Sequence, residues 1–444
     1  MKKEWAIKRN IMKLISILNV FNRTIKGLWL FANKKLNAAD LFARATSYLS
    51  DYLPKTSRII SNALVKWFFA NKLLFCLQLK KDKKTALSNK YKKVLVIADL
   101  NIGDAVNIQS AIVALHKIGI KQIDYAVNKT AAALVEKNPY IPKTFPVFNK
   151  ANKVSDEEIS YLNEKIRNYN YDLVINFCPF LSKKYLIQSK NFISFLGLSI
   201  FVTRKYFDCE KSHITYLIHS YINKLFNQTS IFEGNFLYLP REAIETANTF
   251  YRNNIPKNKK VVMLNIDATS IYTLMPFSMQ REIADNLSEK YTVILSASFS
   301  QVGLQEKLYK TLNKNNIILL DKHLSITSYA ALIDLCDAFI SADTGGLHIA
   351  ASYKYDEKGI PLNNKTAIFS IFGATPAKIY AYDSEKKDFL KSSQSALSKV
   401  YISNCVCKNI TCINKSVKCC RAVRCFYGLE TKKIISDITN YLGD

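Results

Sequence analysis

Residues 337–352 form the stretch that most restricts the fold of this chain, because a strand pattern passes into a helix start across two adjacent glycines. Residues 338–342 are small, apolar and β-prone, which is typical of a strand buried on both faces of a parallel sheet. The break falls at residues 343–346, and a helical pattern follows. Strands that alternate with helices in this way indicate an α/β architecture.

The same turn also has the features of an anion site. Amides in the first turn of a helix lack partners within the helix, and the helix dipole favours negative charge there. Gly345 and Gly346 allow a phosphate to approach the backbone without a Cβ in the way, and Asp343 and His348 flank the turn. An ordinary βα turn with Asp343 or Thr344 as N-cap is the structural alternative.

The strand and helix alternation extends from residue 92 and predicts two doubly wound α/β domains with a cleft between them. The first series has predicted strands at 94–98, 123–127, 145–148, 173–176 and 192–195, and helices at 105–118, 157–169, 214–226 and 241–252. A linker is predicted at 253–258. The second series has strands at 261–266, 292–296, 317–320, 338–342 and 367–372, and helices at 278–287, 301–312 and 328–335.

We accordingly divide the 444 residues into four parts. These are a basic helical extension at 1–91, a first Rossmann-like domain at 92–252, a second Rossmann-like domain with a Cys-rich end at 253–425, and a C-terminal helix at 426–444. Within the extension, the charged run at 80–84 is expected to be a solvated, flexible joint.

Charge is concentrated at the N-terminus: residues 1–93 carry a net charge of +17 out of +28 for the whole chain. This indicates contact with an anionic surface, and because nothing resembles a nucleic-acid-binding module, a membrane or an anionic glycan is favoured over nucleic acid. A helical cap packed on the main domains is the alternative. The longest apolar run, 63–79, contains Lys66 and Lys72, and no secretion signal is evident, so we expect a cytoplasmic protein peripheral to a membrane.

A second candidate site follows the first predicted strand. Gly103 allows a tight turn, and Asp104 lies at the start of the next helix, on the carboxyl edge of the sheet where open α/β folds bind ligands. A carboxylate there can take a proton from a sugar hydroxyl as general base, although an N-cap aspartate is the simpler alternative. A base on one domain and a phosphate site on the other suit group transfer from a nucleotide diphosphate.

These residues resemble glycosyltransferase family 9, the family of the ADP-heptose:lipopolysaccharide heptosyltransferases, over about residues 92–443. Residues 94–97 and 102–106 are similar to its opening, and residues 343–351 match its Asp-Thr/Ser-Gly-x-x-His-x-Ala-Ala signature. Residues 372–377 match its Phe-Gly-x-Thr-x-Pro segment, with Pro376 one place early.

The resemblance implies a GT-B fold and inverting, metal-independent transfer of a heptose from ADP-heptose to the lipid A-core acceptor of lipopolysaccharide, with no required cofactor. It implies that Asp104 is the catalytic base, with Gly103 on the acceptor-side loop. The donor-binding residues that it implies are Asp343, Thr344, Gly345, Gly346, His348, Gly373 and Thr375.

Two departures leave the donor open. Ala98, Leu100 and Asn101 stand where the family usually has Arg and Asp, and the segment ending at Pro276 lacks the basic residue that precedes Trp-Pro in the family. Arg281 or Lys378 are candidates to replace that charge. The rival hypotheses are a relative that uses another nucleotide sugar or acceptor, and a degenerate GT-B fold that acts as a binding module.

Six of the ten cysteines fall within 21 positions near the C-terminus, a density that suggests a structural zinc site. They are Cys405, Cys407, Cys412, Cys419, Cys420 and Cys425. Unliganded thiols in a loop are the alternative. The scattered Cys76, Cys178, Cys209 and Cys336 are expected to be buried. His116, His213, His219 and His323 are expected to lack functional partners.

Overall fold

The computed structural model describes most of the chain beyond residue 71. The described residues are 72–88, 91–149, 154–178, 181, 185–194, 197–199, 201–202, 212–268, 273–297, 302–313, 315–320, 324–363, 365–373, 375–382, 397–403, 425–426 and 428–443. The predicted amphipathic helices of residues 1–71 and all but one of the clustered cysteines lie outside these ranges.

The first domain contains a five-stranded sheet in which every neighbouring pair is parallel, with strand order β3-β2-β1-β4-β5. Its strands are β1 (Lys93–Ala98), β2 (Gln122–Asn128), β3 (Thr144–Phe148), β4 (Leu173–Asn176) and β5 (Phe192–Ile193). Its helices are α1 (Lys72–Leu87), α2 (Ile102–Lys117), α3 (Lys129–Val135), α4 (Asp156–Tyr169), α5 (Ile214–Phe226) and α6 (Arg241–Asn254).

The second domain contains a six-stranded parallel sheet with strand order β13-β12-β10-β7-β8-β9. Its strands are β7 (Val261–Asn265), β8 (Thr292–Ser296), β9 (Ile317–Leu319), β10 (Ala338–Ala342), β12 (Ala367–Phe372) and β13 (Ser398–Ile402). Its helices are α7 (Phe277–Ser288), α8 (Val302–Tyr309), α9 (Ile326–Ile333), α10 (Gly345–Ala350), α11 (Ala377–Tyr380) and α12 (Thr431–Leu442).

The remaining two strands form a small parallel sheet that joins the domains. Strand β6 (Phe236–Leu239) follows α5, and strand β11 (Tyr353–Asp356) follows α10. The rings of Tyr238 and Tyr355 stack across the pair with centroids 5.2 Å apart. Short strands of this kind carry no pattern of their own, and their pairing depends on residues more than 110 positions away.

Both large sheets are covered by helices on their two faces, which explains the continuous apolar composition of their central strands. All five residues of β7 and of β10 are buried, as are five of the six residues of β1. Counted within its own domain, the second sheet has the order 3-2-1-4-5-6 of dinucleotide-binding folds. The predicted α/β class with two doubly wound, Rossmann-like sheets is therefore confirmed.

The predicted flexible joint at residues 80–84 is wrong, because these residues belong to the continuous helix α1. Asp82 is buried there and accepts hydrogen bonds from Tyr221 Oη at 3.0 Å and Gln78 Nε2 at 2.9 Å. Burial raises the pKa of Asp82 to about 6. The hydroxyl of Tyr221 on α5 allows the side chain of Asp82 to point into the domain. Helix α1 therefore packs on the first domain, as the helical-cap alternative predicts for this part of the extension.

Candidate active site

Each of the two predicted sites follows a strand beside the switch point of its sheet. Strand β1 pairs with β2 on one side and β4 on the other, and β10 pairs with β7 and β12. Both adjoin the switch point of their sheet, where the chain direction of the crossovers reverses and where open α/β sheets bind ligands beyond the carboxyl ends of the strands. Gly103 and Asp104 follow β1, and residues 343–348 follow β10.

The structure brings these two turns into direct contact across the domain boundary. A Cβ at Gly103 would lie 2.4 Å from Cδ2 of His348, and one at Gly345 would lie 3.3 Å from Cβ of Ile102. Gly103 lies inside helix α2 and does not have a positive φ, so it is not part of the tight turn expected from the sequence. The glycine is needed because helix α2 packs its first turn against the imidazole of the other domain.

His348 is buried between the domains, at 6% exposure, and its ring nitrogens face different surroundings. Nδ1 lies 2.9 Å from Tyr382 Oη and 3.4 Å from Asn107 Nδ2. Nε2 lies 3.7 Å from Asp343 Oδ1, beyond hydrogen-bond distance. Burial lowers the pKa of His348 to about 4, so the ring is neutral at physiological pH.

Asp104 lies in the first turn of α2, which begins at Ile102, three residues earlier than the sequence pattern predicts. Burial raises the pKa of Tyr380 above its usual range, and the charges of Asp104 and Asp343 raise it further. One phenol on α11 is thus within electrostatic reach of both carboxylates. The candidate base and the candidate donor turn therefore share one neighbourhood.

Asp99, at the end of β1, is a buried carboxyl that the sequence did not single out. It has no measurable exposure, and neither side-chain oxygen accepts a hydrogen bond from another nitrogen or oxygen among the described residues. Burial raises the pKa of Asp99 to about 6; the thiol of Cys178 lowers it in part, and the charges of Glu158 and Asp104 add to the increase.

The turn after β10 is held by Asn265, at the end of β7. Its Nδ2 donates to Ser341 Oγ and to Thr344 Oγ1, both at 3.0 Å. The hydroxyl of Thr344 also lies 2.9 Å from Ser341 Oγ. Thr344 makes no side-chain capping bond to α10, because its hydroxyl is turned toward the strand ends.

Gly373 and Thr375 follow the next strand, β12. A Cβ on Gly373 would lie 2.8 Å from Cε2 of Phe426 and 3.1 Å from the carbonyl oxygen of Cys425, so the C-terminal segment packs against this glycine. The buried hydroxyl of Thr375 has no hydrogen-bond partner among the described residues.

His213 and Tyr382 are functional candidates that the sequence analysis missed. The expectation that His213 lacks partners is wrong: its ring lies 4.1 Å from the ring of Tyr382. Its Nε2 is 3.2 Å from the carbonyl oxygen of Tyr380, in the second domain. The only sequence signal for His213 was its position as the N-cap of α5. Its partners Tyr380 and Tyr382 are about 170 residues away and could not be predicted from a local pattern.

The two candidates for the missing basic residue differ in placement. Arg281 pairs with Asp285 at 3.4 Å. Asp285 is one turn further along α7, so the ion pair directs Arg281 away from the carboxyl edge of the sheet. Lys378 lies in α11, which follows β12 at that edge. Thr273, in the segment that lacks the basic residue, is buried. The placement favours Lys378 over Arg281 as a cation for the cleft.

Only some of the ten cysteines lie within the described residues, so only some of the cysteine predictions can be compared with the structure. Cys178 and Cys336 are buried as expected, whereas Cys76 is exposed, so the expectation for Cys76 is wrong. Cys425 is buried, and Cys209 lies outside the described residues together with Cys405, Cys407, Cys412, Cys419 and Cys420. Within the described part of the chain, no three His, Cys, Asp or Glu side chains form a group able to hold a metal.

Comparison with known proteins agrees with this geometry. Residues 201–378 match the family model for glycosyltransferase family 9 (heptosyltransferase). No curated protein matches the sequence.

Solved structures with the same fold cover most of the chain. A glycosyltransferase of family 9 from Veillonella parvula shares 17% identity and a TM-score of 0.56, with 72% of this chain and 88% of that one covered. The ADP-heptose lipopolysaccharide heptosyltransferase II of E. coli shares 14% identity and a TM-score of 0.55, with 79% of this chain and 98% of that one covered. The E. coli heptosyltransferase WaaC with ADP shares 14% identity and a TM-score of 0.50, with 78% of this chain and 99% of that one covered.

The two Rossmann-like sheets and the contacts between their carboxyl-end turns form a GT-B fold like that of these structures. Together with the match of residues 201–378 to the family model, this fold supports a glycosyltransferase. None of the helices among its described residues is both long and apolar enough to cross a membrane.

Proposed function

We propose that this enzyme transfers a heptose from ADP-heptose to the inner core of lipopolysaccharide, with inversion at the anomeric carbon and without a metal ion. The observation that carries the proposal is the contact between Gly103 and His348. It joins the turn bearing Asp104 to the turn bearing Asp343 in a single interdomain site, which is the arrangement needed to bring an acceptor hydroxyl to a nucleotide sugar.

In this proposal Asp104 accepts the proton of the acceptor hydroxyl as general base. The hydroxyl oxygen bonds to the anomeric carbon from the side opposite the leaving group, so the configuration inverts. The bond to the diphosphate breaks, and the diphosphate leaves with the electron pair. Polar groups already fixed around the diphosphate stabilise the charge that develops on it.

The donor site in the proposal consists of Asp343, Thr344, Gly345, Gly346, His348, Gly373 and Thr375. Asn265 supports it by holding the hydroxyl of Thr344 toward the strand ends, and the orphan hydroxyl of Thr375 is a donor for a phosphate or ribose oxygen. Lys378 supplies the positive charge that the family usually places before Trp-Pro.

The acceptor in the proposal is the lipid A-core, reached at the cytoplasmic face of the inner membrane by a peripherally attached enzyme; nucleic acid is not a partner. Residues 1–71 contain 13 Lys or Arg and three acidic residues, a net charge of +10. Each basic residue near an anionic leaflet contributes about 1 kcal/mol of attraction, which salt screens.

The buried Thr273 segment, without its basic residue, favours a second candidate: transfer from another nucleotide sugar or to another acceptor. The same loss is compatible with a GT-B fold that binds nucleotide without catalysis. Titration calorimetry with ADP, UDP, GDP and dTDP, followed by mass spectrometry of transfer products from the matching sugars, separates these cases. Preference for ADP and a heptosylated core acceptor support the proposal. Nucleotide binding without any transfer product would support the GT-B fold that acts as a binding module.

A further inference from the structure

Asn107 lies three residues after Asp104 on α2 and is buried, at 1% exposure. Residues three apart share a helix face, so the amide lies on the same side of α2 as the candidate base. Its amide contacts both domains: Oδ1 lies near Thr215 and Asn235 of the first domain, and Nδ2 faces His348 of the second. A buried amide in a helix that is apolar on nearly every side requires such partners.

The partners of Asn107 determine the direction of its amide. Asn235 Nδ2 donates to Oδ1 at 3.1 Å. Thr215 Oγ1 lies 3.1 Å from the same oxygen, but its one hydrogen also has Nδ1 of His213 as an acceptor at 2.8 Å. With Oδ1 on the side of Asn235, the NH₂ group faces Nδ1 of His348 at 3.4 Å. An NH₂ group has no acceptor function, so Nδ1 of His348 must be the accepting nitrogen.

Tyr382 has one hydroxyl hydrogen and two acceptors within reach, and the nearer of them is the same nitrogen. Its hydroxyl lies 2.9 Å from Nδ1 of His348 and 3.4 Å from Oδ1 of Asn107. A neutral imidazole carries one proton, and when one ring nitrogen accepts, the other bears the hydrogen. That hydrogen is therefore on Nε2, the nitrogen 3.7 Å from Asp343 Oδ1 and nearest the Gly103 turn.

We propose that Asn107 and Tyr382 are positioning residues that hold His348 in its Nε2–H tautomer, so that this N–H is presented beside Asp343 at the donor turn. Because Asn107 is in the first domain and His348 in the second, the tautomer is fixed by contact between the domains. The consequence for the donor rests on the proposed function: Nε2–H donates to a nucleotide-sugar oxygen or to Asp343 when the sugar is bound.

The tautomer is measured directly by ¹⁵N NMR of the histidine side chains in the full-length protein without nucleotide. The resonances of His348 are assigned by their loss in the His348→Gln variant. The wild type is expected to show a protonated Nε2 and an unprotonated Nδ1. In Asn107→Asp an acceptor replaces the NH₂ donor, and Nδ1 is expected to become protonated.

Ser110→Ala is the matched control, since its buried hydroxyl lies one turn further along α2 and bonds the backbone carbonyl oxygens of Asn107 and Thr215, not the amide or the imidazole. Its His348 resonances are expected to stay as in the wild type. For the donor, Asn107→Asp is expected to raise KM about tenfold, the size of one hydrogen bond to a charged group, with a smaller change in kcat. A loss of structure alone would lower the active fraction and hence the apparent kcat instead.

A wild-type His348 protonated on Nδ1 would overturn the proposal, and so would an Asn107→Asp variant with unchanged tautomer and KM. If Asn107→Asp does not fold, Tyr382→Phe is read by the same resonances, and an unchanged Nδ1 shift in Tyr382→Phe would overturn the role of Tyr382. An Nε2–H tautomer in a protein that binds no nucleotide would leave the positioning role in place and reject the proposed function.

Discussion

Gly103 and His348 approach so closely that a single methyl group at position 103 would come within 2.4 Å of the ring. The two residues belong to different domains and lie at the centre of the candidate active site. We expect Gly103→Ala to force the turns apart and to lower kcat with little loss of either domain's fold. Steady-state kinetics, together with domain separation from small-angle X-ray scattering, measure both effects.

Gly303 provides the matched control for that substitution. It lies in helix α8, has no positive φ, and a Cβ there would meet nothing within 4 Å. Gly303→Ala is expected to leave activity unchanged and to stabilise the protein by about 0.5–1 kcal/mol, the usual difference between Gly and Ala within a helix. Equal activity of Gly103→Ala and wild type would mean that the close contact is not needed for catalysis.

Asp104→Asn tests the assigned base. The amide keeps the shape of the carboxylate and loses its ability to accept a proton, so transfer is expected to fall by about 10²–10⁴-fold. Nucleotide affinity, measured by calorimetry, is expected to remain near the wild-type value because the residue is on the acceptor side. Turnover close to wild type would reject the role of Asp104.

Much of the fold was predictable from the sequence because most strands and helices are specified by the pattern of their own residues. Strands such as Leu173–Asn176 and Ala338–Ala342 are continuous apolar runs, and their predicted bounds equal the observed ones. Strands β6 and β11 were missed since each is four residues long and stabilised by the other, from a distant part of the chain.

The site divides in the same way. The turns at Asp104 and Asp343 are visible as strand–turn–helix patterns, whereas Asn107, His213 and Tyr382 meet only in the folded protein. A polar residue within an apolar helix was the available signal for Asn107, but its partner is 241 positions away. No local pattern indicates which distant residue such an amide will meet.

The buried Asp99 predicts a pH-dependent stability difference. Burial raises its pKa to about 6 in the folded state, against about 4 in an unfolded chain. The folded protein therefore binds the proton of Asp99 more tightly than the unfolded chain does. The charged carboxylate lowers the free energy of unfolding above pH 6, and this loss disappears as the pH falls toward 4.

Asp99→Asn mimics the neutral acid at every pH. Urea unfolding is expected to show the variant more stable than wild type at pH 8, by up to about 3 kcal/mol. The difference is expected to shrink steadily between pH 6 and pH 4. A difference that does not depend on pH would mean that Asp99 is not a buried carboxyl with a raised pKa.

Membrane attachment through the basic N-terminus is tested by deleting residues 1–71 and retaining α1. Helix α1 must stay, because Asp82 is bonded to Tyr221 in the first domain. The truncated protein is expected to remain folded and active on soluble acceptor fragments, and to stop sedimenting with anionic liposomes. Salt is expected to release the full-length protein. Failure of the full-length protein to bind the liposomes at low salt would contradict the membrane role.

The proposed transfer of a sugar to the inner core of lipopolysaccharide is best tested by mass spectrometry of that glycan in a strain lacking the protein. We expect a truncated inner core that is restored by the wild-type chain and not by Asp104→Asn. A glycan of unchanged mass in the deletion strain would contradict it.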